Sequence, residues 1–305
     1  MGYILETKNL TKVYGQREAA KDVNLHIRKG EIYGLIGRNG AGKTTIMRML
    51  SGLSVPTRGS YSLFGKTGPE LGKMLRYVGV LIEHPGIYPR LSAYENLKIK
   101  CYAVGKNPKG YVEELLRTVG LENTDKKKAA GSYSLGMRQR LGIALALVGD
   151  PRLIILDEPI NGLDPQGIVE VREILANLRD EKGITIMISS HILDELSKVA
   201  DAYGIIHEGT LLDEFSAEQL HKRSGQSIVI RTGNPAATMQ VLENMGVSQV
   251  ETEPDGTIRV NEKMDGTAAM AKAIVNSGID LQEIYLRTIS LEDYYLNVTG
   301  GNHNG

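Results

Sequence analysis

The chain contains 305 residues, enough for one large domain and a smaller one. Its 36 basic and 36 acidic side chains cancel, so no bulk charge attracts it to nucleic acid or to an anionic membrane surface. The single cysteine, Cys101, excludes a disulfide framework and is typical of an ordinary buried thiol. We expect neither a secretory signal nor a membrane-spanning stretch, so any role at a membrane would require a partner.

The first part of the chain reads as short strands separated by turns, which predicts an antiparallel sheet over residues 3–36. Tyr14 lies just before the first of these turns. An aromatic ring at this place is suited to stack on a bound base. The chain has 14 tyrosines, however, and spacing alone favours an ordinary tyrosine at the end of a strand.

A glycine-rich stretch at residues 37–44 matches the pattern G-x-x-x-x-G-K-[ST]. An apolar strand at residues 32–36 precedes it, and apolar residues at helical spacing follow it, which a chance glycine-rich turn would not show. The backbone N–H groups of such a turn and the positive end of the helix dipole form a cradle for phosphate. We expect a nucleoside triphosphate to be bound by Gly37, Arg38, Asn39, Gly40, Ala41, Gly42, Lys43, Thr44 and Thr45.

Strands and helices alternate through the rest of this region. The predicted elements are a turn at residues 56–60, strands at 61–65 and 77–82, a mainly helical stretch over 92–147, and strands at 153–156 and 184–188 separated by a helix from Pro165. This order is typical of a mostly parallel α/β sheet that binds ligands at the carboxyl ends of its strands. We therefore expect the charged residues after three strands to converge on the triphosphate, namely Glu83, the pair Asp157 and Glu158, and His191.

Asp157 and Glu158 end a fully apolar strand. Because successive strand residues point in opposite directions, Asp157 is suited to hold Mg²⁺ with the Thr44 hydroxyl, and Glu158 to orient or deprotonate the water that attacks the γ-phosphate. A pair of carboxylates capping a turn before Pro159 is the structural alternative, which the upstream phosphate loop disfavours. His191 is placed to contact the γ-phosphate or hold that water, although a lone histidine is more often an ordinary polar residue.

A different pattern follows residue 215. Strand, helix, strand, strand, helix and strand occur in that order, which predicts a small ferredoxin-like α+β accessory module over residues 216–299. We expect residues 300–305 to form a disordered tail. The module shows no cluster of chemistry-bearing side chains, so docking or dimerisation is the role it suggests.

Five blocks occur in order along the chain: the phosphate loop at 37–44, Tyr133-Ser134-Leu135-Gly136-Met137-Arg138-Gln139-Arg140, the strand and acidic pair at 153–158, Asn161-Gly162-Leu163-Asp164, and His191. Together they resemble the ATP-binding-cassette (ABC) ATPases. The resemblance covers about residues 3–215. It implies an α/β fold with a P-loop NTPase core, a mostly parallel sheet, an antiparallel β subdomain and a helical subdomain at about residues 92–148, all within an ATP-binding domain over residues 1–215.

The same resemblance assigns roles to single residues. It implies that Tyr14 stacks on adenine, that Asp157 and Glu158 are the Walker B pair, that residues 161–164 are the D-loop and that His191 is the switch histidine. It also implies that the block containing Ser134 and Gly136 closes over the phosphate loop of a second copy of the chain. ATP and Mg²⁺ are the implied cofactors, and a head-to-tail pair of chains is the implied assembly.

Two motifs depart from the family pattern. In the signature L-S-G-G-Q, Leu135 and Met137 replace the first glycine and the glutamine. Glu83 stands where the family generally has a glutamine, and its carboxylate is suited to ligate Mg²⁺ and to take part in catalysis, unless it is a solvated loop residue. Glu83, the residues after it and the altered signature resemble the bacitracin and lantibiotic self-protection exporters.

The resemblance implies the ATP-hydrolysing subunit of a two-component exporter for a peptide antibiotic, a lantibiotic or a similar amphipathic compound. We expect it to be cytoplasmic, peripheral on the inner face of the cell membrane, and to contact a separate permease through residues 83–94. One alternative is a soluble ABC ATPase acting on ribosomes or DNA. Such proteins generally have two cassettes or a long coiled coil, so we expect no nucleic-acid partner. Another is an exporter of an ion or lipid.

Overall fold

The computed structural model describes residues 2–223, 226–288 and 290–300. The chain divides into two compact units, Met1–Ala217 and Glu218–Gly305. The tail predicted to be disordered falls, from residue 301 onward, outside the described residues. Among the described residues, every helix is too short or too polar to span a lipid bilayer.

The first unit contains strands and helices that alternate after the fourth strand. Its strands are β1 (Tyr3–Tyr14), β2 (Arg17–Val23), β3 (His26–Arg28), β4 (Ile32–Ile36), β5 (Arg58–Leu63), β6 (Val78–Leu81), β7 (Leu153–Leu156), β8 (Thr185–Ser190), β9 (Ala202–His207) and β10 (Thr210–Ser216). Its helices are α1 (Lys43–Leu50), α2 (Leu71–Met74), α3 (Ala93–Ala103), α4 (Tyr111–Thr118), α5 (Leu135–Leu147), α6 (Pro165–Asp180) and α7 (Leu193–Ser197). Helix α8 (Ala217–Arg223) begins at the last residue of this unit.

The central sheet has the strand order β10-β9-β4-β8-β7-β6, and all of its pairings are parallel except that of β10 with β9. Every residue of β4, β7 and β8 is buried, which explains their continuous apolar sequences, because a parallel strand is covered on both faces. The parallel register places the carboxyl ends of β4, β7 and β8 along one edge. The phosphate loop, the acidic pair and His191 follow these three ends.

The second sheet of this unit is antiparallel, and its long strand β1 pairs with β2, β3 and β5. The turn predicted at residues 56–60 is wrong in its second half, because β5 begins at Arg58 and pairs with Thr11 of β1. The register shifts between Lys8 and Thr11, and a Cβ at Gly59 would lie 2.2 Å from the Asn9 carbonyl oxygen. Only glycine fits at a strand position where another backbone comes this close, and a glycine in the sequence suggests a turn.

Helix caps fix the ends of the helices that flank the sheet. Ser92 and Glu95 form the expected capping box at the start of α3, and the Asp164 side chain accepts a hydrogen bond from Gly167 N at the start of α6. Cys101 of α3 is fully buried, and this burial raises the pKa of its thiol. It is the ordinary buried thiol that we expected.

The second unit is built on an antiparallel sheet with the strand order β12-β13-β11-β14. Its elements are β11 (Gln226–Thr232), α9 (Pro235–Asn244), β12 (Val250–Thr252), β13 (Ile258–Val260), α10 (Thr267–Asn276), β14 (Leu281–Thr288) and α11 (Leu291–Val298). Apolar residues of β11, β13 and both helices α9 and α10 form one buried cluster. The succession β-α-β-β-α-β and this strand order are those of a ferredoxin-like module.

Candidate nucleotide-binding and hydrolysis site

The phosphate loop between β4 and α1 is shaped by glycines. A Cβ at Gly37 would lie 2.5 Å from the carbonyl oxygen of Ile206, and a Cβ at Gly42 would lie 2.4 Å from that of Ala19. Gly40 and Gly42 also have φ angles of 83° and 109°, which side chains other than glycine rarely adopt. The backbone can therefore curl tightly at the first turn of α1, where helix N–H groups point toward an anion.

Lys43 is the first residue of α1 and is only 5% exposed. Its amine donates to the Gly37 carbonyl oxygen at 2.5 Å, and its Nζ lies 3.1 Å from Glu158 Oε1. The latter contact is an ion pair without hydrogen-bond alignment, since Glu158 Oε1 is a buried oxygen with no hydrogen-bond partner. The predicted phosphate-binding cation and the predicted catalytic carboxylate are therefore neighbours.

The next residue, Thr44, contacts the other carboxylate of the pair. Its hydroxyl donates to Asp157 Oδ2 at 2.7 Å, and the Ser189 hydroxyl donates to Asp157 Oδ1 at 2.6 Å. Asp157 is 6% exposed, so both of its oxygens are fixed by neighbours from two other elements. Ser189 is a site residue that we did not identify from the sequence, although its place at the end of β8, two residues before His191, was a usable signal.

The two carboxylate oxygens of Glu158 have different neighbours: Oε1 lies beside Lys43 and Oε2 beside His191. Its backbone N–H donates to Ser189 Oγ at 2.8 Å, and its Oε2 lies 2.8 Å from His191 Nδ1. Its φ angle of 49° is in the left-handed region, an uncommon conformation for a residue with a side chain and one found often at functional sites. The structure thus brings together Lys43, Thr44, Asp157, Glu158 and His191. Glu83, the third strand end expected to converge here, pairs with Arg48 instead.

A cavity of about 470 Å³ lies against the phosphate loop. It is lined by the start of β2, the loop itself and the turn between β9 and β10. Its polar groups come from Arg17, Glu18, Arg38, Asn39, His207 and Glu208. Arg17 donates to the Gly40 carbonyl oxygen at 3.2 Å, a second contact that sequence reasoning missed. Tyr14, which pairs with Arg17 across the β1–β2 turn, is 48% exposed, so its ring is accessible to a base.

The other sequence-predicted residues lie in different surroundings. Glu83 is exposed and forms an ion pair with Arg48 of α1, with Nη2 and Oε1 2.7 Å apart. Ser134 caps α5, accepting a hydrogen bond from Met137 N at 3.2 Å. A Cβ at Gly136 would meet Leu163 at 3.9 Å, so the block containing Ser134 and Gly136 lies beside residues 161–164 of the same chain. The individual roles assigned to all these residues stay predictions.

The side chains present fit a triphosphate with a divalent cation. The glycine cradle leaves room for phosphate oxygens, and Lys43 supplies a buried positive charge. The Thr44 and Asp157 oxygens, 2.7 Å apart, are hard donors of the kind that Mg²⁺ prefers. No group of three or more His, Cys, Asp or Glu side chains in the described residues is arranged to hold a metal ion, so phosphate oxygens would have to supply further ligands.

Comparisons with known proteins agree with this geometry. The family described as ABC transporter matches residues 20–161. The chain is 43% identical to the bacitracin transport ATP-binding protein BcrA of Enterococcus faecalis, with 99% of this chain and 98% of that protein covered. It is 48% identical to the lantibiotic transport ATP-binding protein SrtF of Streptococcus pyogenes, with 69% and 90% covered.

Solved structures show the same fold. A dimeric ATP-binding cassette in a post-hydrolysis state bound to ADP and Pi matches with a TM-score of 0.64 at 25% identity, covering 70% of this chain and 98% of that one. An ATP-binding subunit of an ABC transporter matches with a TM-score of 0.63 at 32% identity, covering 72% and 92%. The predicted family and fold class are confirmed: the chain belongs to the ATP-binding proteins of ABC transporters and is an ATPase with a P-loop NTPase core.

Proposed function

We propose that this protein drives the export of peptide antibiotics, such as bacitracin or lantibiotics, through a separate membrane permease. The observation that carries the proposal is the 43% identity to a bacitracin transport ATP-binding protein over 99% of the chain. The likeness therefore includes the second unit as well as the cassette. The named relatives described above are transport proteins, which does not favour a soluble ATPase acting on ribosomes or DNA.

The site supports hydrolysis of ATP by an attacking water. Lys43 would hold the β- and γ-phosphates, and Tyr14 would stack on the adenine. Thr44 and Asp157 would hold Mg²⁺, which offsets the negative charge of the phosphate oxygens when bound. Glu158 would take the proton of the water, and His191, 2.8 Å from Glu158, would keep that carboxylate oriented.

We further propose that two copies associate head to tail. The similar cassette bound to ADP and Pi is dimeric. Ser134 is at the N-terminus of the 13-residue helix α5, where the helix dipole favours an anion. In the proposed dimer this end of α5, with Gly136, contacts the γ-phosphate bound to the partner chain. Each site would then be incomplete without the second copy.

The loop from Glu83 to Tyr94 is our candidate surface for the permease, on the inner face of the membrane. Asn96 is buried and exchanges hydrogen bonds with the backbone of Tyr88 at 2.7 and 3.1 Å, which gives this loop a fixed shape. Tyr88 itself is 57% exposed. We expect replacement of Tyr88 by aspartate to reduce co-purification of the permease. Recovery of the permease unaffected by this change and by deletion of residues 86–89 would contradict the assignment.

A strain lacking this protein and its permease tests the proposed function. We expect the deletion to raise sensitivity to bacitracin or to a lantibiotic, and the intact pair to restore resistance. A pair carrying Glu158→Gln at equal expression should not restore it, because transport requires turnover. Unchanged sensitivity to peptide antibiotics, with altered tolerance of an ion or a lipid-like compound, would instead support the other exporter class.

A further inference from the structure

Glu83 is tied to the helix that carries the phosphate-binding lysine. The Glu83 carboxylate pairs with Arg48 at 2.7 Å, and Arg48 lies in the last turn of α1, whose first two residues are Lys43 and Thr44. The two side chains of the pair are 40% and 55% exposed. The pair therefore joins the loop after β6 to the helix of the phosphate loop through a contact that solvent can reach.

The backbone of Glu83 has an uncommon conformation. Its φ angle of 63° is in the left-handed region, which is strained for a residue with a side chain. A glutamate held in such a conformation needs a compensating interaction. Arg48 offsets part of this strain, since its guanidinium at the C-terminal end of α1 is also favoured by the helix dipole.

The Glu83 carboxylate lies close to the face of α1 that carries the proposed Mg²⁺ ligand Thr44, because its partner Arg48 follows Thr44 by four residues, about one helical turn. An exposed ion pair of this kind contributes little to stability, so a divalent cation can displace the arginine. A glutamine at this position would have no charge to pair with Arg48. The ion pair with Arg48 therefore requires a glutamate at residue 83.

We propose that Arg48 is a positioning residue for Glu83, and that it competes with the metal bound beside ATP for the Glu83 carboxylate. The inference rests on the proposed use of Mg²⁺ at this site. It assigns to α1 a second task besides holding phosphate. Metal binding would then be coupled to release of the loop that begins at Glu83.

Hydrogen exchange tests the pair itself, in protein prepared without nucleotide or metal. Arg48→Gln and Glu83→Gln should each increase amide exchange in the peptide covering residues 83–91, and the swap Arg48→Glu with Glu83→Arg should restore the protection. Arg287→Gln is the matched control, since Arg287 is 39% exposed and pairs with Asp293 at 3.3 Å in the other unit. Unchanged exchange in both single variants would overturn the proposal.

Binding of Mn²⁺, a paramagnetic substitute for Mg²⁺, tests the competition. With a non-hydrolysable ATP analogue bound, Arg48→Gln should tighten Mn²⁺ binding by about two- to fivefold, as measured by electron paramagnetic resonance. The gain should disappear when Glu83 is also changed to Gln. The swapped variant should show no gain, because arginine at residue 83 cannot ligate a cation.

Two outcomes of the Mn²⁺ titration would overturn the inference. An equal gain with and without Glu83 would mean that Arg48 acts only as a distant charge. Unchanged Mn²⁺ affinity in Glu83→Ala alone, which leaves no side-chain oxygen at this position, would mean that Glu83 is not a ligand. Neither result touches the export proposal, which the antibiotic-sensitivity test decides separately. Binding of the analogue without metal reports whether the phosphate loop of each variant is intact.

Discussion

Lys43 is buried beside the Gly37 carbonyl oxygen and Glu158, and it is the cation expected to hold the phosphates of ATP. Lys43→Ala removes a charge-assisted hydrogen bond that contributes about 1.5–3 kcal/mol. We expect ATP binding to weaken by about tenfold or more in equilibrium titration with a fluorescent analogue. Lys66→Ala, which removes an exposed ion pair with Glu70, should bind normally. An affinity within about twofold of the parent for Lys43→Ala would contradict the role.

Replacement of Glu158 should leave ATP binding intact and remove most of the ATP turnover. Glutamine keeps the size of the side chain but cannot take a proton, so Glu158→Gln should bind ATP and hydrolyse it about a hundredfold or more slowly. Phosphate release under saturating ATP measures the effect. The exposed Glu181 provides the control, since Glu181→Gln should hydrolyse ATP at the parent rate. Near-normal hydrolysis by Glu158→Gln would assign the base to another group.

Single residues also show where sequence reasoning succeeds and where it stops. Asp157, Glu158 and His191 could be placed at one edge because parallel strands end together. The hydrogen bonds of Ser189 to Asp157 and Glu158 depend on the register in which Leu156 pairs with Ile188, and that register is a property of the assembled sheet. Arg17 was missed for the same reason, because its contact with Gly40 joins a strand of the antiparallel sheet to the phosphate loop.

At the scale of elements, β6 packs closely against α5. A Cβ at Gly79 of β6 would lie 2.0 Å from the Ala146 carbonyl oxygen, which is backbone and cannot rotate away. We expect Gly79→Ala to destabilise the protein by about 1–3 kcal/mol, a typical cost of overpacking, with a lower thermal midpoint. Gly72→Ala in α2 is the control, because its Cβ would meet nothing within 4 Å. Equal midpoints for the two variants would contradict this packing.

The existence and order of the elements could be predicted better than their ends. Caps at Ser92 and Asp164 marked the starts of α3 and α6, since both signals are local. The start of β5 at Arg58 could not be read in this way. Its pairing with β1 requires Gly59 to lie against Asn9. These two residues are far apart in sequence, so the glycine itself is the only sign of the contact in the sequence.

At the scale of the whole molecule, the proposed dimer predicts that two inactive variants restore each other. Lys43→Ala supplies an intact Ser134, and Ser134→Asp supplies an intact Lys43, so a mixed dimer contains one complete site. Aspartate is a good helix N-cap and would spare α5 while repelling the γ-phosphate. We expect ATPase activity to reappear when the two variants are mixed.

The control for this mixture is a chain carrying both changes, combined with Lys43→Ala. Neither of its mixed sites has a lysine, so no activity should appear. Restoration in this control as well would point to contamination or exchange of nucleotide between unrelated sites. Lack of restoration in the first mixture, with each variant folded and able to associate, would contradict a shared site.

The left-handed backbone at Glu158 has a consequence for attempts to make the protein more heat-resistant. Glycine or asparagine adopts this conformation at lower cost. A screen for thermal survival alone would therefore select substitutions at residue 158. The variants it selected would lack the carboxylate and have lost their turnover. Stabilised versions of this ATPase should therefore be sought at positions remote from the ends of β4, β7 and β8, with residue 158 held constant.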